Sequence, residues 1–251
     1  MALMRTSNPA LHAQTFRGLE AAGTAAEVMT LGGTVNKCGI LLVLVAAAAA
    51  WSWGQFTTPE TAGRALSYLV ACALGGLAVA VVIVFKKSWA PVLAPVYALL
   101  EGVVLGVISA IYEARFQGIV FQAVLLTFGV AFALLLAYKS GIVRATENFK
   151  LGVVAATGGM ALIYLVGLVL NFFGKGIPYI HESGPIGIGF SVFVVIVAAL
   201  NLVLDFDFIE KGAAQGAPKY MEWYGAFGLM VTLIWLYLEI LRLLGKARGR
   251  R

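Results

Sequence analysis

Ionisable side chains interrupt otherwise apolar runs at three places along the 251 residues, and chemistry would sit there. Glu101 is the one carboxylate between Ser88 and Tyr112. It follows Trp89 by 12 residues, roughly 18 Å of helix, which is near the middle of an apolar layer about 30 Å thick. No Lys or Arg stands three or four positions from it on the same helix. An acid in such a place costs a few kcal/mol and turns to the interior or to a water-filled cavity. Two readings stand: a protonated Glu hydrogen-bonded to a neighbouring helix, or one step of an ion or proton pathway.

The second place is the acidic end of a later run. Asn201 and Asp205 are four apart and share a helix face, whereas Asp207 is rotated from Asp205 by about 200°. Lys211 and Lys219 bracket a turn near residues 213 to 217, so a helical hairpin puts Glu222 level with Asp205 and Asp207. Carboxylates gathered there would perturb one another's ionisation. The plainer reading is a solvated acidic turn beside two lysines. Glu239, the third place, lies 16 residues beyond Trp223, near the far interface with Trp235 and Tyr237. Arg242 at i+3 makes it an interfacial ion pair.

What is missing narrows the chemistry. The chain has no Gly-rich phosphate loop, CxxC pair, HExxH or Ser/His/Asp set, and its only histidines are His12 and His181. No enzyme activity and no cofactor are expected, beyond a weakly bound calcium ion. Cys38 and Cys72 sit at different depths of antiparallel spans and are read as unpaired packing residues.

The elements that must hold these acids are transmembrane helices. Hydrophobic residues make up 61% of the chain and charged ones 12%, far from soluble composition. The apolar runs, broken by charge only at Glu101 in the third and at Glu239 and Arg242 in the seventh, approach the roughly 20 residues that cross a bilayer. They lie at 38–54, 65–85, 88–112, 116–138, 151–174, 184–204 and 223–244, seven spans in all. Trp51 and Trp53 mark an interface. Residues 1–33 form a polar arm with no signal-peptide core, leaving 34–251 as the transmembrane domain.

Arg5, Arg17, Lys37, Lys86, Lys87, Lys139, Arg144, Lys150, Lys211 and Lys219 fall on one side, against Arg64, Arg115 and Lys175 on the other. The bias places the N-terminus in the cytoplasm. An odd number of spans then leaves Arg242, Lys246, Arg248, Arg250 and Arg251 outside, against the rule. Gly102 with Gly106 forms a GxxxG pair for close helix contact, and Gly75–Gly76 and Gly158–Gly159 are further candidates.

Several stretches carry a family resemblance: Met29-Thr-Leu-Gly-Gly-Thr-Val-Asn-Lys37, Glu101-Gly-Val-Val-Leu-Gly106, Ala137-Tyr-Lys-Ser-Gly141, Asn201-Leu-Val-Leu-Asp-Phe-Asp207 and Lys219-Tyr-Met-Glu-Trp-Tyr-Gly-Ala-Phe-Gly228. From about residue 25 onward the chain resembles the bacterial branch of the Bax inhibitor-1 (transmembrane Bax inhibitor motif) family. The resemblance implies an all-α, seven-helix bundle with the last helix enclosed by the other six. It also implies a calcium leak gated by pH through paired aspartates at the cytoplasmic ends of the last two helices. Asp205 stands where the first of that pair belongs. The family's usual aspartate in the last helix falls near Thr232, with Glu222 and Glu239 on either side, and the hairpin geometry selects Glu222.

Acids buried without cations beside them thus point to a proton-sensitive cation leak in a bacterial inner membrane. Its pathway or gate is expected at Glu101, Asn201, Asp205, Asp207, Glu222 and Glu239, with Asp205, Asp207 and Glu222 holding calcium weakly, since that ion favours six to eight oxygens. The expected partners are the lipid bilayer, calcium and protons, and not nucleic acid. The alternative is a non-transporting membrane regulator that binds a membrane-anchored protease or another stress-response partner, for which the polar arm would be the contact.

Overall fold

The computed structural model describes residues 28–55, 59–173 and 184–250. The polar arm up to residue 27, and the loop with Lys175 and His181, lie outside the described residues. The described chain is helical: α1 (Leu31–Gln55), α2 (Pro59–Phe85), a short 3-10 turn (Lys87–Trp89), α3 (Ala90–Arg115), α4 (Ile119–Lys139), α5 (Glu147–Phe172), α6 (Pro185–Ala214) and α7 (Met221–Arg248). All seven α-helices contain stretches long and apolar enough to cross a membrane, and the protein is an integral membrane protein. Exposed Leu66, Phe85, Phe121, Phe132 and Leu162 make up the apolar outside that lipid chains cover.

Burial ranks the helices. In its most apolar window α7 is 61% buried, α3 and α6 are 50% buried, and α2 is 11% buried. A helix sheltered on most sides can carry polar groups that a lipid-facing helix cannot. Accordingly α7 bears buried Glu222, Thr232, Glu239 and Lys246.

The helix ends differ from the expected spans in ways that matter for the acids. Charge was taken to end a span, yet the helices run through it. Helix α1 starts at Leu31 and carries Lys37 in its second turn; α5 starts at Glu147 and takes in Lys150; α6 continues past Asp205 and Asp207 to Ala214; α7 takes in Glu222 and runs on to Arg248. Each of these ionisable residues is therefore held on rigid helix. Gly216, at φ 65°, supplies the left-handed turn between α6 and α7.

The chain divides into two compact units. One contains α1 to α3 with Phe208–Met230, and the other contains Gly118–Asp207 with Val231–Arg251. In the first, the GxxxG pair does what its spacing predicts. A Cβ on Gly102 would lie 2.6 Å from the Val45 carbonyl oxygen, and one on Gly106 would collide with the Ser52 hydroxyl and the Ala49 carbonyl. The backbones of α1 and α3 meet there, and Ser52 donates across the contact to the Val103 carbonyl at 3.1 Å. The other glycine expectations divide. Gly76 lies under the Glu101 carboxyl, whereas a Cβ on Gly158 or Gly159 meets nothing within 4 Å among the described residues. Those last two make no close helix contact among the described residues. In the second unit Met160, Val194 and Val197 form a core against Phe190 and Trp235. Neither Cys38 nor Cys72 is in a disulfide.

Candidate functional site

Glu101 lies between α2 and α3. Tyr97, one turn earlier, hydrogen-bonds its carboxyl, and a Cβ on Gly76 would come within 2.7 Å of its Oε1. The Tyr97 ring is fixed in turn by an edge-on contact with Phe227, at 5.0 Å between centroids. Glycine at position 76 is what allows an acid to fit against α2.

Glu222 is fully buried and is received by the start of α1. Thr30 caps that helix, its hydroxyl accepting from the Gly33 N–H at 3.0 Å. The Thr30 N–H and hydroxyl both donate to Glu222 Oε1, at 2.9 and 2.8 Å. Lys37 pairs with Oε2 and Lys219 with Oε1. A Cβ on Gly33 would fall on the carboxylate itself. A carboxylate at a helix N-terminus also gains from the helix dipole. Thr30, Gly33 and Lys37 all come from one stretch of sequence, and each has its own part in holding one acid of α7.

Asp205 is 1% exposed on α6. Asp207, two residues on, meets Lys150 Nζ of α5 at 3.0 Å, and Lys150 also reaches Glu147 at 3.2 Å. Asn201, one turn before Asp205, donates to the Thr157 hydroxyl of α5 at 2.9 Å and to the Val197 carbonyl at 2.8 Å. Hence the α5–α6 contact is polar over two turns. Glu239 accepts from Arg242 at 2.8 Å and from the Tyr164 hydroxyl at 3.0 Å, and Arg242 packs its guanidinium 5.7 Å from the Tyr164 ring centroid. Lys246, buried, donates to the Gly187 carbonyl and the Ser191 hydroxyl near the start of α6.

These contacts correct the picture of acids without cations. Glu222 has Lys37 and Lys219, Asp207 has Lys150, and Glu239 has Arg242. Arg242 was anticipated as a partner from its helical spacing and Lys219 as a neighbour of the acidic turn, whereas Lys37 and Lys150 were not anticipated. Lys37 and Lys150 looked like loop charges and prove to be helix residues reaching across to another helix. The partners described for Glu222 all belong to its own compact unit. Among the described residues no group of three or more His, Cys, Asp or Glu side chains is placed to hold a metal ion.

Comparison with known protein families matches residues 8–249 to the family described as Bax inhibitor 1 like. No curated protein matches the chain, and no solved structure does.

Proposed function

Because that match spans nearly the whole chain, the protein belongs to the Bax inhibitor 1 like family, and we propose that it is a proton-sensitive cation leak. We assign it to the family's bacterial branch and to the inner membrane, with the N-terminus in the cytoplasm and calcium as the permeating ion. The observation that carries the reading is Asp205, 1% exposed and two residues from the Asp207–Lys150 pair. A carboxylate kept from solvent in a helical membrane protein marks an ion or proton route by default.

On this reading Lys150 is a tethered cation on the acidic site. A cation arriving at Asp207 competes with the lysine, and the outcome alters how α5 is fastened to α6. That is a two-state element which protons can bias. Two carboxylates with a few carbonyls fall short of the six to eight oxygens of a tight calcium site, and weak binding suits conduction. Glu101, packed against α2 within its own unit, is a second candidate acid for ion passage. No catalytic role and no bound cofactor are proposed.

Uptake of ⁴⁵Ca²⁺ by proteoliposomes of the purified protein, measured from pH 6 to pH 8, tests the reading. Flux above empty vesicles that changes with pH supports it. Absence of flux at every pH removes it and leaves the regulator that binds a membrane protein partner.

A further inference from the structure

The residues just before α1 are tied to the turn between α6 and α7 by more than Glu222. Val28 and Pro218 form an antiparallel bridge, and the Met29 N–H donates to the Ala217 carbonyl at 2.6 Å. The Met29 side chain, 2% exposed, reaches Gly225 of α7, where a Cβ would lie 3.5 Å from its Cε. Then come the two Thr30 bonds to Glu222 Oε1 and the ion pairs from Lys37 and Lys219. Three consecutive residues thus lie along the turn and close on one buried carboxylate.

The fastening is accessible although the acid is not. Thr30 is exposed, and the side chains of Lys219 and Lys37 keep 46% and 19% of their exposure. Of the four donors on the carboxylate, two belong to the strap and two are lysines in contact with water. Neutralising the acid leaves both lysines without their counter-charge next to a helix start that favours an anion.

We propose that Val28–Thr30 is a strap which the Glu222 carboxylate fastens onto the α6–α7 turn, and that unfastening it frees the first turn of α7 and raises conduction. Glu222 is then a positioning residue that sets the resting level of the leak. The conduction half of the proposal rests on the leak reading above; the strap itself does not.

The test reads the burial of Met29. In a background with Cys38 and Cys72 changed to Ala, a single Met29→Cys is labelled with a soluble maleimide in proteoliposomes. Labelling is slow in this parent and at least about tenfold faster with Glu222→Gln or Lys37→Met, and Lys37→Arg restores the slow rate. A Ser52→Cys reporter, buried where α1 meets α3, stays slow in every variant, which separates local release from unfolding. An unchanged Met29→Cys rate in both Glu222→Gln and Lys37→Met overturns the strap, and a Ser52→Cys rate that rises in parallel overturns it as well. In calcium uptake Glu222→Gln raises flux about threefold at every pH. Faster labelling with unchanged flux rejects the coupling to conduction, whereas a parent with no flux at all rejects the leak reading while the labelling rates still decide the strap.

Discussion

Lys150 of α5 and Asp207 of α6 meet at 3.0 Å, with the lysine side chain 2% and the aspartate side chain 13% exposed. A lysine this buried owes its charge to its partners, because an ammonium removed from water without a counter-ion loses several kcal/mol of solvation. The pair joins two helices next to buried Asp205, so the neighbourhood of that acid already contains a positive charge supplied by the protein.

Removing one half of this pair leaves an uncompensated charge. Lys150→Met is expected to lower stability in detergent by about 3 kcal/mol. The double variant Lys150→Met with Asp207→Asn recovers most of that loss, since neither group is then stranded. Thermal unfolding of the two single variants and the double variant closes the cycle. Strictly additive losses would mean that the two residues do not act as a pair.

The two kinds of glycine make a second contrast. Gly106→Ala places a methyl on the Ser52 hydroxyl and the Ala49 carbonyl, where the backbone cannot yield, and should cost about 2 kcal/mol. Gly158→Ala meets open space and should be neutral or stabilising by up to about 1 kcal/mol, as alanine is the better helix former. Melting temperatures of the two variants in the same detergent decide the matter, and an equal loss in both would contradict the packing described here.

Much of the fold was legible because hydrophobic runs of bilayer length are a strong signal, and the GxxxG of α3 names its own contact. The clasps on the acids were not legible in the same way. A span is read by the absence of charge, so Lys37 and Lys150 were placed outside the helices that contain them, and their partners lie far away in sequence: Glu222 for the first and Asp207 for the second. The stretch Met29 to Lys37 held a usable signal, a capping threonine followed by two glycines and a lysine in the next turn, and the buried acid it receives is what gives the pattern a reason. The acids themselves divide: Asp205 and Glu222 are buried, Glu101 and Asp207 partly so, and Glu239 pairs with Arg242 as its spacing suggested but is buried.

Glu101→Gln keeps the shape of the acid and its capacity to accept from Tyr97, so stability should remain within about 1 kcal/mol of the parent. If Glu101 lines the route, calcium uptake nevertheless changes. Tyr97→Phe, which removes the donor and keeps the ring against Phe227, should alter flux in the same direction by a smaller factor. Uptake identical to the parent at every pH would return Glu101 to a purely structural role, bonded to Tyr97 on its own helix and packed against Gly76 of α2.

The sharpest prediction concerns Asp205. Its carboxyl is nearly sealed on α6, with Asn201 held to Thr157 one turn before it and Asp207 held to Lys150 just after. On the leak reading proposed above, the buried Asp205 is the acid whose removal should alter the pH response. Asp205→Asn should flatten uptake between pH 6 and pH 8, and so should Asp207→Asn. If the two residues act as one gate, the double variant should be no flatter than either single one. Glu222→Gln should behave differently, shifting the level of flux and keeping its pH profile, because the described partners of Glu222 are the start of α1 and two lysines. Parallel uptake curves for the four variants separate the roles: a profile flattened by Glu222→Gln as much as by Asp205→Asn would make Glu222 the second gating acid, whereas a pH response that survives Asp205→Asn would remove the gate from α6.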